Sequence, residues 1–423
     1  MFTLTSTNNA NTLMRRSLLY HTRTFLLPLL AVGLLLTGCD SSGSSNGEGD
    51  VIPLSVETAH NLLTADLKSQ TDAVADEEPS ESELKTRYNG TTDGVSILTA
   101  SRVSSAAQTE YKGTSLTGAV SGGDLVRSSA LEEGVDSPGA GAVTADELIT
   151  FYLGEMAKTN SSITDNQVNM SQLVNKLLLG GLMYARGAEA LTSIDGTDED
   201  DVENLNTAAA YFGAPNEFSA EFLDYGGGTE GLANTAVDLN EDEQIDFNTE
   251  FVFTWASYAA ERSAVAENNG TPNDFARRAK GAMDDLRTAI EEDDSSVDVD
   301  AKAATALEAW ESVVAVNVIH YVNAMESDLS SLDSDETVTT DALSDDAVAE
   351  FNEHWGEAKP FAWALQFNPE KQISDTQLQN LHDALGAAPP YGKTKSDVVS
   401  DINTVKQILA DAYDFDASNV ENW

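Results

Sequence analysis

The sequence predicts an all-α protein, a multi-helix bundle with an irregular N-terminal segment. From Thr144 onward, apolar residues recur at three- and four-residue spacing in one segment after another. Alternating apolar and polar runs of the kind that build sheets are nearly absent. With 41% hydrophobic residues over 423 positions, the chain can fill the core of one large or two ordinary domains.

Taken in order, residues 55–74 have helical spacing in Ala59, Leu62, Leu63 and Leu67. Residues 89–141 are rich in Gly, Ser and Thr, show no sustained period, and read as loops and short pieces packed on the helices after them. Thr144 and Glu147 form a capping box, and Leu148, Phe151, Tyr152 and Met156 then line one helical face. A second helix is expected over 166–194, where Gly180 and Gly181 allow close packing or a kink. A third, 202–212, is stopped by Gly213 and Pro215.

Amphipathic helices follow at 249–267 and 273–291, and the longest is expected at 301–329. Residues 345–367 read as a helix that Pro360 should kink, because proline supplies no amide to the backbone ladder. Ser374 and Gln377 form another capping box, opening a helix closed by Gly386, and the last helix is expected at 396–413.

The N-terminus reads as an address. Basic residues from Arg15 to Arg23 precede an apolar run at 25–36 that is too short for a comfortable membrane span and ends in Leu36-Thr37-Gly38-Cys39. This resembles a lipoprotein signal peptide with its lipobox, which implies cleavage before Cys39 and lipid attachment to it. Cys39 is the only cysteine, so there is no internal disulfide to form. Met14, followed by two arginines, also suits a translation start. The organisation expected is a signal peptide at 1–38, a flexible Ser/Gly tether at 39–50, an irregular segment at 51–143 and a helical domain at 144–423.

Charge bounds the partners. Arg15, Arg16 and Arg23 are the only charged residues of the first 38, so the remainder carries 71 acids against 20 bases. Such a surface needs counter-ions, which makes nucleic acid and anionic headgroups poor partners and points to a salt-rich habitat.

One stretch specifies chemistry by type and spacing. Asp238, Asn240, Asp242 and Asp246 place oxygen ligands at offsets 1, 3, 5 and 9 of a calcium loop, Gln244 supplies another at offset 7, and Ile245 is the apolar pin at offset 8. Offset 6, where glycine is usual, is Glu243; offset 12 is Thr249, with Glu250 one place late and able to reach if the next helix starts there. The same acids also suit a solvated loop. A bound calcium here braces the fold.

The histidines offer a second chemistry. His60 and His382 read as ordinary surface or partly buried side chains. His320 shares an apolar helix face with Asn317, which reads as a polar seam in the bundle core, either a hydrogen-bond network or a ligand site. His354 and Glu357 stand at i and i+3, a spacing that aims two ligands from one face, and His320 or a carboxylate would have to supply a third. Gly43-Ser44-Ser45-Asn46-Gly47 matches the letters of a nucleophile elbow but lies in the tether. There is no HExxH sequence and no phosphate-binding glycine loop.

The segments 210–218, 238–246, 279–290, 318–323 and 354–369, in that order, resemble an uncharacterised family of Gram-negative envelope lipoproteins, itself similar to the imelysin-like helical proteins. That resemblance implies a two-lobed helical bundle, an association with iron uptake and, in some members, metallopeptidase activity at a GxHxxE motif. His354 and Glu357 match its last two positions, and Asn352 stands where the glycine is expected. Two functions are thus expected. The first is a lipid-anchored, non-enzymatic binding or scaffold protein of the cell envelope with a structural calcium loop, whose protein or small-molecule ligand is unknown. The alternative, implied by the resemblance, is metal acquisition or peptide cleavage with iron or zinc at His354, Glu357 and His320.

Overall fold

The computed structural model describes residues 53–90, 92–129, 142–196, 200–216, 218, 235–292 and 296–423. The signal peptide and tether expected from the sequence, with Cys39, lie outside them. The described residues form an all-α protein and belong to one compact unit.

The axis of the unit is α10, Val299–Asp328, 30 residues and about 45 Å long. Asp298 opens it by accepting the amide of Ala301. Residues 313–319 are apolar save for Asn317, so other helices must cover them on every side. Val313 to Ile319 is entirely buried. The longest contacts are with α9, Phe275–Glu291, and α11, Asp345–Ala364. Helices α6, Ala185–Thr192, α8, Thr254–Asn268, and α13, Lys395–Tyr413, add to the cover.

The N-terminal segment contributes helices as well as loops. Helix α1, Val56–Asp72, is capped by Ser55 and buries Leu62, Leu63 and Leu67. It is followed by the single turn α2, Val74–Glu77, and by α3, Glu81–Asn89. Asp66, on the buried face of α1, ties the following loop down by accepting the amides of Leu98 and Thr99 and the hydroxyls of Thr99 and Tyr111. A carboxylate saturated with donors is how an apolar interior holds a charge. Helix α4, Ala145–Thr159, starts at the expected Thr144–Glu147 capping box, with both reciprocal bonds formed.

The helix expected over 166–194 is three pieces. Helix α5, Met170–Leu178, continues into α6, Ala185–Thr192, through the π-helical Leu179–Tyr184. A π segment shifts the backbone register, so carbonyls there can serve other partners. The Leu179 carbonyl accepts from the Trp255 indole at 3.0 Å and that of Gly181 from the Ser121 amide at 2.7 Å. Gly180 is pressed on α11, where a Cβ would sit 2.5 Å from that of Ala364. Gly187, on α6, lies under the ring of Trp310.

After α7, Asp201–Phe212, the sequence expectation fails locally. Helix α8 starts at Thr254, not Thr249, because Phe251–Val252 (β2) pairs antiparallel with Thr235–Ala236 (β1), setting Thr235 opposite Val252 and Ala236 opposite Phe251. Helix α11 runs unbroken through Pro360. The carbonyl that proline would crowd belongs to Gly356, and a glycine gives the backbone latitude there. Helices α12, Asp375–Leu385, with its Ser374–Gln377 capping box, and α14, Ala417–Val420, close the unit. Among the described residues no helix is long and apolar enough to cross a membrane.

A Cβ at position 187 would stand 2.3 Å from the Trp310 ring, which is itself wholly buried. Gly187→Ala should therefore lower unfolding free energy by about 1–3 kcal/mol through overpacking, whereas Gly122→Ala, with nothing within 4 Å, should leave it unchanged. Urea denaturation of both variants measures the difference.

Candidate functional site

The loop 238–250 is held at its base by the β1–β2 pair and by the amide of Val237 on the carbonyl of Glu250. Ile245, the apolar pin, is buried and bridges to Ala106: its amide donates to the Ser105 carbonyl and its carbonyl accepts from Ala107. Glu241 and Glu243 have φ values of 59° and 68°. Glu243 thus makes, as a strained non-glycine residue, the turn expected at offset 6.

Glu250 is not in a helical first turn, as its place before α8 would have allowed. It precedes β2, is 2% exposed, and reaches back across the loop, accepting the amides of Leu239 and Asn240 on one oxygen and that of Asp246 on the other. Asp238 accepts the amides of Asp242 and Glu243, and Asp242 that of Gln244. Asn240 accepts the same Asp242 amide and donates to the Asp242 carboxylate. Asp246 accepts from Gln108 and from the amide of Asn248. Asn248 in turn accepts the Ser55 amide and donates to the Pro53 carbonyl, joining this loop to the start of α1. The donors are hard oxygens with spare lone pairs, which suits calcium. Yet among the described residues no three His, Cys, Asp or Glu side chains are grouped to hold a metal, so a cation would have to draw the acids inward.

The second candidate set lies in the core between α5, α8, α10 and α11. Glu357 is bonded to Lys176 at 3.1 Å, and both side chains are under a tenth exposed. Lys176 also donates to Tyr258, whose hydroxyl lies 3.3 Å from that of Tyr321. Burial alone would pull the Lys176 ammonium down; Tyr258 and Glu357 outweigh it and hold it above the ordinary lysine range. Arg262 donates to Asn317, whose amide returns to the Val313 carbonyl. Asn317 is therefore in a hydrogen-bond network, as one reading of the seam expected.

The three predicted ligands lie around Tyr321 but take separate partners. His354 Nδ1 lies 2.7 Å from the Asp328 carboxylate. Burial opposes charging of this ring, but Asp328 raises it above the usual histidine range. His320 packs edge-on against Tyr321, beside the C-terminal residue, and burial lowers it to about 3. Trp423 is itself buried, its indole donating to the Arg262 carbonyl and its own carbonyl accepting from Asn323.

Sequence reasoning missed the interior charges. Lys176, Glu311 and Lys359 each interrupt an apolar helical face, and that interruption was the available signal. Glu311, fully buried on α10, accepts from Asn368, the Gln372 amide and the Tyr413 hydroxyl. His60 and His382, expected near the surface, are 4% and 0% exposed. His60 lies between the Tyr211 hydroxyl at 2.9 Å and the Ser115 carbonyl at 3.2 Å. Comparison with protein-family models, curated proteins and solved structures returns no match for this chain.

Breaking one half of the Lys176–Glu357 pair strands a buried charge. Lys176→Met should cost about 3–5 kcal/mol, and Lys176→Met with Glu357→Leu should recover most of that, as read from chemical denaturation midpoints. The histidines predict acid sensitivity. Burial lowers His60 from 6.5 to about 4. Its stabilising contribution is thus complete above pH 6.5 and lost as pH falls from there toward 4, roughly 2 kcal/mol by pH 5. His320 and His382 have the same sign; His354, raised by Asp328, has the opposite one. His60→Gln should flatten the decline in unfolding free energy between pH 7 and 5.

Proposed function

We propose that this is a lipid-anchored protein of the cell envelope, whose helical unit works as a non-catalytic binding or scaffold module for a protein or small-molecule ligand. The observation that carries the reading is the sequence Leu36-Thr37-Gly38-Cys39 at the end of a short apolar run behind three arginines, with no other cysteine in the chain. The acidic composition supports it, since 71 acids against 23 bases turn the protein away from nucleic acid.

The loop 238–250 is the calcium-binding part of the proposal, with Asp238, Asn240, Asp242, Gln244 and Asp246 as ligands and Glu250 as the brace that holds the loop amides in place. Calcium here would fix the join between the bridge to Ala106 and the start of α8, and thereby add stability without chemistry. The pairing of Glu357 with Lys176 and of His354 with Asp328 favours this reading over a metallopeptidase, because each potential ligand has a protein partner already.

Two measurements test the proposal. In a Gram-negative host fed a labelled palmitate analogue, the protein should take up label and fractionate with membranes, and Cys39→Ser should abolish both; label retained by Cys39→Ser, or none at all, overturns the anchor. Calcium at about 100 times its dissociation constant should raise unfolding free energy by about 2.7 kcal/mol over chelator, and Asp242→Ala should remove that gain. Identical melting with calcium and with chelator overturns the calcium loop.

A further inference from the structure

Four lysines are buried among the described residues, and three of them face acids: Lys176 meets Glu357, Lys280 meets Asp284, and Lys406 meets Glu326 and Glu421. The fourth, Lys359 on α11, is 2% exposed and forms no ion pair among the described residues. Its hydrogen bond is a long one, 3.4 Å to the His382 carbonyl. An ammonium is among the most expensive groups to bury without a counter-charge.

Lys359 borders a space of about 30 Å³, room for one or two waters. Arg127, Ser128 and Tyr152 line the same space, and the indoles of Trp355 and Trp363 wall it. The charges come from two other elements. Arg127, in the loop before α4, adds a second cation and joins burial in opposing the ammonium; Asp383, on α12, is the acid that favours it. Asp383 is exposed, however, and its oxygens accept the amide and hydroxyl of Ser129 and the side chain of Gln379. His382, also on α12, is held neutral by burial. Two cations thus share one ion-sized space, and the neighbouring acid is given to other donors.

We propose that this space is a buried halide site, in which a chloride ion supplies the counter-charge that Lys359 lacks. A monatomic anion is little larger than a water molecule, so it fits where a phosphate or a carboxylate does not. In a low dielectric its attraction to two cations is strong, and it relieves their mutual repulsion. The ion also fastens a loop. Asp124 and Val126 are bonded to the α11 side chain of Trp363 and to Gln366 just beyond that helix, and Arg127 and Ser129 are bonded to α12 through Gln379 and Asp383. Chloride ties the Arg127 side chain to α11 as well. The site is independent of the calcium loop and of the lipid anchor.

The test uses the full chain at constant sodium, with gluconate, too bulky for the space, replaced stepwise by chloride so that surface screening stays fixed. In the wild type the urea midpoint should rise and then saturate, as binding at one site requires, and bromide should act alike. Arg127→Gln should weaken the chloride dependence about ten-fold, and Lys359→Met, which keeps the stem, should abolish it. Crystals grown in bromide give a reading that needs no variant: an anomalous peak should stand beside Lys359 Nζ. Water there with no peak overturns the proposal. So does a peak unmatched by a saturating chloride effect in solution, which marks an adventitious ion only. A wild-type midpoint indifferent to chloride, or a folded Lys359→Met variant that keeps the full dependence, overturns it as well.

Discussion

A helix buried over most of its circumference has no free side on which to place a polar group. Helix α10 is in that position, and the rest of the unit is arranged to satisfy it. Glu311 and Asn317 are fully buried on it, and each is met by groups from elsewhere: Tyr413, Asn368 and Gln372 for the first, Arg262 for the second. These bonds fix the approach of α13, of the stretch after α11 and of α8. Apolar packing alone would tolerate small slides and rotations; a saturated carboxylate does not. The register of the core is thus set by a few polar contacts inside a large hydrophobic one.

The distribution of charge follows from the same economy of space. Arg87, Lys176, Arg262, Lys280, Lys359 and Lys406 are all buried, so part of the chain's small supply of cations is spent inside. The surface left behind is more acidic than the composition suggests, while the interior is more basic. Cations placed inside strengthen their bonds in a low dielectric, and acids placed outside gather counter-ions. Stability of the unit should therefore depend on salt through the surface and on pH through the buried histidines, by separate routes.

The fold was legible where local and tertiary demands agree. The Thr144 and Ser374 capping boxes, the long helix around Trp310 and the helix class itself follow from periodicity and capping chemistry. It was not legible where tertiary contact overrides pattern. Nothing in the local sequence around Phe251 says that it pairs with Ala236 instead of starting a helix, and Gly180-Gly181 could not distinguish a kink from a π segment. The candidate sites divide in the same way. The spacing of Asp238, Asn240 and Asp242 announces a loop, but that Glu250 grips the loop amides depends on where the next element begins. The i,i+3 spacing of His354 and Glu357 is real, yet their partners, Asp328 and Lys176, lie on other helices at sequence separations that no local pattern encodes.

The hydrogen bonds of Asn248 give the loop 238–250 a mechanical position. If the chain is anchored through Cys39 as proposed, load reaches the described residues at Pro53, where Asn248 donates to the Pro53 carbonyl and accepts the Ser55 amide. Behind Asn248 stands Asp246, then the Ile245 bridge to Ala106. Tension on that anchor would therefore be shared between the loop and the start of α1, whose cap is Ser55. A cation that stiffened the loop would raise the force at which α1 peels away, so that calcium would set how firmly the unit holds to its own leash.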